Sequence, residues 1–238
     1  MSGKQFVFMV LEEHPYGREM LMQLMEAGHV PMAVIEECSE IADEEKHKFL
    51  GRIKGHRVAP TFDELLDQKE IPRYKVPNHN KKECKELLEK MKPDLGVLGG
   101  TRIIRKKILE IPPDGMLNSH PGLLPEVRGS ASPAWSVYYD IPIGATCHFI
   151  DPNIDTGDIV IKREIPIHRG DTYEKLCWLT LVKAGKLMTE AVTLWKNQSI
   201  NRVPQGRSVL PTLKVPSEEI MDIVYQKLRD QTYKHYVD

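Results

Sequence analysis

The chain has 238 residues, 41% of them hydrophobic, which suffices for one sizeable domain with a small appendage. Its formal net charge of -1 leaves no basic footprint for a nucleic acid. The four cysteines, Cys38, Cys84, Cys147 and Cys177, include no Cys-x-x-Cys pair, which argues against zinc and redox motifs and for reduced thiols in a cytoplasmic protein.

No charged-then-apolar leader opens the chain and no apolar run is long enough to span a bilayer, so a membrane role is not expected. Residues 5–11 read as a buried strand. Residues 16–27 carry apolar side chains at helical spacing and stop at Gly28. A second strand is predicted over 30–36, with Pro31 near its start, and an acidic, solvated helix or loop over 36–48. A surface helix over 80–91 and a short central strand over 95–100 follow. This alternation predicts an α/β fold, a mostly parallel sheet with helices on both faces. No internal repeat or low-complexity tract interrupts it.

The loop between the first strand and the first helix, Leu11-Glu-Glu-His-Pro-Tyr-Gly17, has one Gly and two acids. That is the wrong equipment for cradling a phosphate, and it argues against a dinucleotide-binding enzyme. His14 in this loop is a candidate contact for a second substrate; as a bare residue it reads more simply as a solvated loop histidine.

Residues 115–120 form the next predicted strand, ended by Pro121 and Gly122. Strand side chains alternate faces, so Asn118 and His120 point the same way. They lie at the carboxyl end, where ligands bind in open α/β sheets. A strand over 143–150 follows, and Asp155-Thr-Gly-Asp158 is a tight turn into a strand over 159–166. Taken alone, such a turn is usually only a turn. With Asn118 and His120, however, Asp155 completes a carboxamide, an imidazole and a carboxylate, the groups needed to move an acyl group onto an amine.

Several motifs in order make the pattern specific. They are Asn118-Ser-His-Pro-Gly-Leu-Leu-Pro125, Arg128-Gly129, the helix start at Pro133-Ala-Trp135, Gly144-Ala-Thr-Cys-His-Phe-Ile-Asp151 and Asp155-Thr-Gly-Asp158. Together they resemble the folate-dependent formyltransferase superfamily. That group includes methionyl-tRNA formyltransferase, glycinamide ribonucleotide transformylase and the N-formyltransferases of nucleotide-linked amino sugars. The resemblance is dense from about residue 94 to 176 and looser back to Gln5. It implies a Rossmann-like sheet, 10-formyltetrahydrofolate as donor and no metal.

Formyl transfer to an amine passes through a tetrahedral oxyanion. Asn118 offers an N–H donor and cannot ionise, which suits that oxygen. His120 is expected to accept and return a proton, and Asp155 to orient the imidazole and favour its charged form. By the resemblance, folate lies against the segment after the central strand: Gly100, Thr101, Arg102, Ile103 and Ile104. Paired glycines permit close approach of a flat ring. The loop over 151–158, with Asp151, Ile154 and Asp158, is expected to close the other side.

Arg128 contacts the acceptor or pairs with a carboxylate; the sequence leaves both open. Trp135 and Tyr138 are expected to pack, and His148 to be structural. An amphipathic helix over 172–195 should lie on the sheet. The division expected is a catalytic domain over 1–198 and a short tail over 199–238, with a helix over 217–229 capped by Ser217. The tail is close to neutral and far shorter than the C-terminal domain of methionyl-tRNA formyltransferases. It is expected to cap the acceptor pocket or to form a homodimer interface.

The resulting expectation is an N-formyltransferase for a small-molecule amine, a nucleotide-linked amino sugar or an amino-acid-like amine. The Gly-rich phosphate loop of the ribonucleotide enzymes is missing. A tRNA acceptor, a hydrolase releasing formate, and a silent folate-binding module are the alternatives.

Overall fold

The computed structural model describes residues 3–238. The chain opens with β1 (Phe6–Leu11), α1 (Pro15–Glu26), β2 (Ala33–Glu37), α2 (Glu40–Arg52) and α3 (Phe62–Leu66). It continues with β3 (Arg73–Val76), α4 (Lys82–Met91), β4 (Leu95–Leu98), α5 (Lys106–Leu109) and β5 (Met116–His120). Then come α6 (Ser132–Tyr139), β6 (Gly144–Phe149), β7 (Ile159–Glu164), α7 (Tyr173–Lys196) and α8 (Glu218–Arg229).

The strands form one sheet in the order β3-β2-β1-β4-β5-β6-β7. β3, β2, β1, β4 and β5 run parallel, and β6 and β7 are added antiparallel. β1 is apolar at every position because both of its faces are covered. Phe6, Phe8 and Val10 meet Met20 and Leu21 of α1 and Leu181 and Met188 of α7. Val7 and Met9 meet Cys84 and Leu88 of α4 and Ile108 of α5 on the other face. The expected layered α/β architecture is what the chain adopts.

Several boundaries differ from expectation for identifiable reasons. β2 starts at Ala33, since Pro31 has no N–H for the ladder. The acidic stretch is helical, with the Ser39 hydroxyl capping it by accepting from the Ala42 N–H at 3.2 Å. β4 stops at Leu98. Gly99 packs so closely on the Phe8 ring that a Cβ would collide with it, and Gly100 turns away at φ 84°. Asn80, expected to be helical, lies before α4 and binds elsewhere.

After α7 the chain returns across the molecule. Isolated bridges pair Val203 with Ile159, Leu213 with Gly129 and Tyr236 with Ile167. Ser217 caps α8 as expected, and Val224 and Leu228 of α8 pack with Val137 of α6. Among the described residues, no helix is long and apolar enough to cross a membrane.

Candidate active site

The pairing of β5 with β6 sets Asn118 opposite His148 and His120 opposite Thr146. Paired residues share a face, so four polar side chains gather at the carboxyl end of β5. Thr146 fixes the loop that follows, donating to the Gly122 carbonyl at 2.8 Å and accepting from the Leu124 N–H at 3.1 Å.

His120 is 3% exposed. Its Nε2 donates to the Val127 carbonyl at 2.8 Å and lies 3.0 Å from the Ser132 hydroxyl. Its Nδ1 faces Asp155 Oδ2 at 3.4 Å. The Val127 carbonyl can only accept, so a ring proton lies on Nε2. Asp155 sits in the left-handed region at φ 53°, which Asp tolerates better than most residues. Its Oδ2 accepts from the Gly129 N–H at 2.9 Å.

His148 is a member of this cluster that sequence reasoning had treated as merely structural. It is fully buried, and burial holds its pKa at about 4 although the Asp155 carboxylate pulls the other way. The neutral ring donates from Nδ1 to the Phe149 carbonyl at 2.8 Å. Nε2 is then a lone-pair acceptor, 3.2 Å from the Asn118 Nδ2 and 3.7 Å from Asp155 Oδ1. That orients the Asn118 carboxamide and leaves its second N–H free.

Asn118 and Asp155 open into a cleft of ≈ 140 Å³ walled by Leu98, Ile104 and Ile150. Six of the eight expected folate positions line it: Thr101, Arg102, Ile103, Ile104, Asp151 and Ile154. Gly100 and Asp158 do not. The Gly100 carbonyl accepts from the Leu11 N–H, and the Asp158 carbonyl accepts from the Phe149 N–H. Ile103 is 63% exposed and Ile154 42%, an apolar rim facing solvent. His120 is not part of the lining; it meets the cleft through Asp155. A larger groove of ≈ 510 Å³ between α1 and α7 contains none of these groups.

The Formyl transferase family model matches residues 4–192. The chain belongs to the formyl transferase family. A methionyl-tRNA formyltransferase of Desulforamulus reducens is 29% identical over 191 residues, covering 79% of this chain but 57% of that protein. Among solved structures, glycinamide ribonucleotide transformylase 1 from Symbiobacterium toebii is similar at TM-score 0.65 and 20% identity, over 90% of this chain and 96% of that one. The formyltransferase PseJ from Anoxybacillus kamchatkensis was solved with UDP-4,6-dideoxy-4-formamido-L-AltNAc and tetrahydrofolate. It is similar at TM-score 0.56 and 18% identity, over 92% of this chain and 90% of that one.

The rest of this formyl transferase's site departs from expectation in two places. His14 is not a solvated loop residue. It is buried against Phe49 at 5.0 Å between ring centroids, with its pKa lowered to about 4 by burial. Its Nδ1 caps α1 by accepting from the Tyr16 N–H at 3.2 Å, and it does not line the cleft. Among the described residues, Arg128 pairs with no carboxylate. Its Nη2 donates to Gln205 Oε1 at 3.0 Å, so its partner comes from the tail. Arg102 places Nε 2.8 Å from the buried Glu37 carboxylate, though too far off axis for a good hydrogen bond. Trp135 and Tyr138 pack edge to face, as expected.

Asn80 was missed as a site residue altogether. Its Nδ2 donates to the Ile103 carbonyl at 2.9 Å and its Oδ1 accepts from the Arg105 N–H at 2.7 Å. One carboxamide thus fixes the backbone of the cleft wall.

Proposed function

We propose that this protein is an N-formyltransferase that moves a formyl group from 10-formyltetrahydrofolate to the primary amine of a small molecule. The observation that carries this reading is that Asn118 and Asp155 open into an apolar-walled cleft, with the buried His120 behind Asp155. The chemistry assigned to each follows from its surroundings. Asn118, oriented by His148, donates its free N–H to the oxyanion of the tetrahedral intermediate. Asp155 faces the attacking amine, and the Asp155–His120 pair takes up its proton and returns one to the departing folate nitrogen. A charged His120 ring also lowers the cost of the oxyanion. Thr101, Arg102, Ile103, Ile104, Asp151 and Ile154 are read as folate contacts, with Gly100 and Asp158 supporting them through the backbone. Residues 1–198 are read as the catalytic unit.

The acceptor is read as a nucleotide-linked amino sugar or an amino-acid-like amine. The start of α1 argues only against an acceptor whose phosphate binds at that loop, as a ribonucleotide amine would. His14 occupies the Tyr16 N–H, and a Cβ on Gly17 would collide with Val10 and the Gly99 carbonyl, so the helix end is packed shut. A tRNA acceptor is the second reading, favoured by the names of the curated relatives. The test is a panel of amino sugars, nucleotide-linked amino sugars, amino acids and methionyl-tRNA, incubated with 10-formyltetrahydrofolate while tetrahydrofolate release is followed. Release dependent on one small amine is expected. Release only with methionyl-tRNA selects the second reading, and release without any acceptor marks a hydrolase.

A further inference from the structure

The catalytic loop is tied down by a residue outside the region that matches the family, which ends at residue 192. Between residues 201 and 207 every side chain is exposed except Gln205, which turns inward. Its Nε2 donates to the Asp155 carbonyl at 3.1 Å and to the Gly157 carbonyl at 2.6 Å. Its Oε1 accepts from Arg128 Nη2 at 3.0 Å. Arginine only donates and carbonyls only accept, so this amide has one consistent orientation.

We propose that Gln205 is a positioning residue for Asp155. The Asp155 backbone lies in the left-handed region, a conformation that persists where the surroundings hold it. Gln205 grips that peptide and the one two residues on. Gly157 packs closely against the Phe149 carbonyl, where a Cβ would collide. The Asp155 carboxylate is thereby held on the Gly129 N–H and against His120 Nδ1. The same tail supports the other end of this contact. Gly129 pairs with Leu213, whose N–H donates to the Arg128 carbonyl at 2.9 Å and whose carbonyl accepts from the Ser130 N–H at 2.9 Å. The tail residues 203–214 therefore act as a strap across both loops that meet at Asp155. The inference rests on Asp155 acting in formyl transfer.

The test uses the full chain with Gln205→Ala and Gln205→Glu. Glutamate keeps the length and an acceptor for Arg128 but has no hydrogen for the two carbonyls. By NMR, the Gly129 amide proton should exchange about tenfold faster in both variants. The Ile159 and Val203 amides, each of which donates to the other residue's carbonyl, should keep wild-type protection. The kcat for tetrahydrofolate release from 10-formyltetrahydrofolate, with the amine that the acceptor panel identifies, should fall about tenfold in both. In an Asp155→Asn background the same substitutions should change the residual rate less than twofold, since Gln205 acts through Asp155. Unchanged Gly129 protection overturns the inference. An equal loss of rate in both backgrounds also overturns it, because Gln205 is then merely structural. A wild-type rate for Asp155→Asn alone overturns the reading of Asp155, and the positioning role with it.

Discussion

Asn118 and His148 face each other across the β5–β6 ladder, the Asn118 amide nitrogen 3.2 Å from His148 Nε2. The imidazole is neutral because it is buried, and it is an acceptor at Nε2 because Nδ1 is spent on the Phe149 carbonyl. His148→Phe keeps an apolar ring in the strand but removes that acceptor. The Asn118 amide then loses its orientation. Its kcat for formyl transfer should drop about tenfold or more, while folinic acid still binds. Stopped-flow assay of tetrahydrofolate release against calorimetric binding checks this. An unchanged kcat would separate His148 from the chemistry.

His148 and His14 also set an acid limit on stability. Both are held at about pKa 4 by burial, below the ordinary imidazole value of about 6.5. The unfolded chain therefore binds more protons between pH 6.5 and 4, so stability rises with pH across that window and falls on acidification. Each histidine should cost roughly 2 kcal/mol by pH 5 relative to pH 7. His14→Asn keeps an N-cap acceptor for the Tyr16 N–H and removes one titration. Urea unfolding at pH 7 and pH 5 should give a smaller loss for that variant than for wild type. Equal losses would contradict the assignment.

Asn80 has two hydrogen bonds to the backbone, one to Ile103 in the cleft wall and one to Arg105 just beyond it. Asn80→Ala should weaken folinic acid binding about tenfold, equivalent to about 1.4 kcal/mol, without lowering the melting temperature by more than a few degrees. Calorimetric titration reads it. Wild-type affinity would mean that the wall is held by other contacts.

Trp195 is 2% exposed, stacks edge to face on Phe6 at 6.5 Å and donates Nε1–H to the Asp114 carboxylate at 2.7 Å. It joins the end of α7 to β1 and to the turn before β5. Trp195→Ala should cost about 3–5 kcal/mol of stability by denaturant unfolding. A loss below about 1 kcal/mol would place the joint elsewhere.

That Asn118, His120 and Asp155 lie close together was legible from a local signal joined to the family resemblance, which lifted Asp155 above an ordinary turn. Period-two alternation puts the first two on one face of a strand that Pro121 must end, and Gly157 marks the turn carrying the third. The layered fold was legible from apolar strands alternating with periodic helices. His148 was not, because its role comes from strand register between segments 30 residues apart in the chain. His14 looked solvated because its loop is polar, but Phe49 of a helix over 30 residues on covers it. β3 and α5, of four residues each, are too short to show a period. Gln205 had no signal at all. Its strap is held by isolated bridges at Val203 and Leu213 rather than by a patterned strand.

The most direct test of the central claim is single-turnover release of tetrahydrofolate from 10-formyltetrahydrofolate by wild type, Asn118→Ala, His120→Ala and Asp155→Asn. Amine is saturating, and folinic acid binding is measured on the same samples. Each variant should bind folinic acid within a few-fold of wild type and lose about 100-fold or more in rate. Full rate in any one of the three, with folate still bound, would contradict its assigned role. Full rate in all three would place the formyl transfer chemistry elsewhere in the molecule.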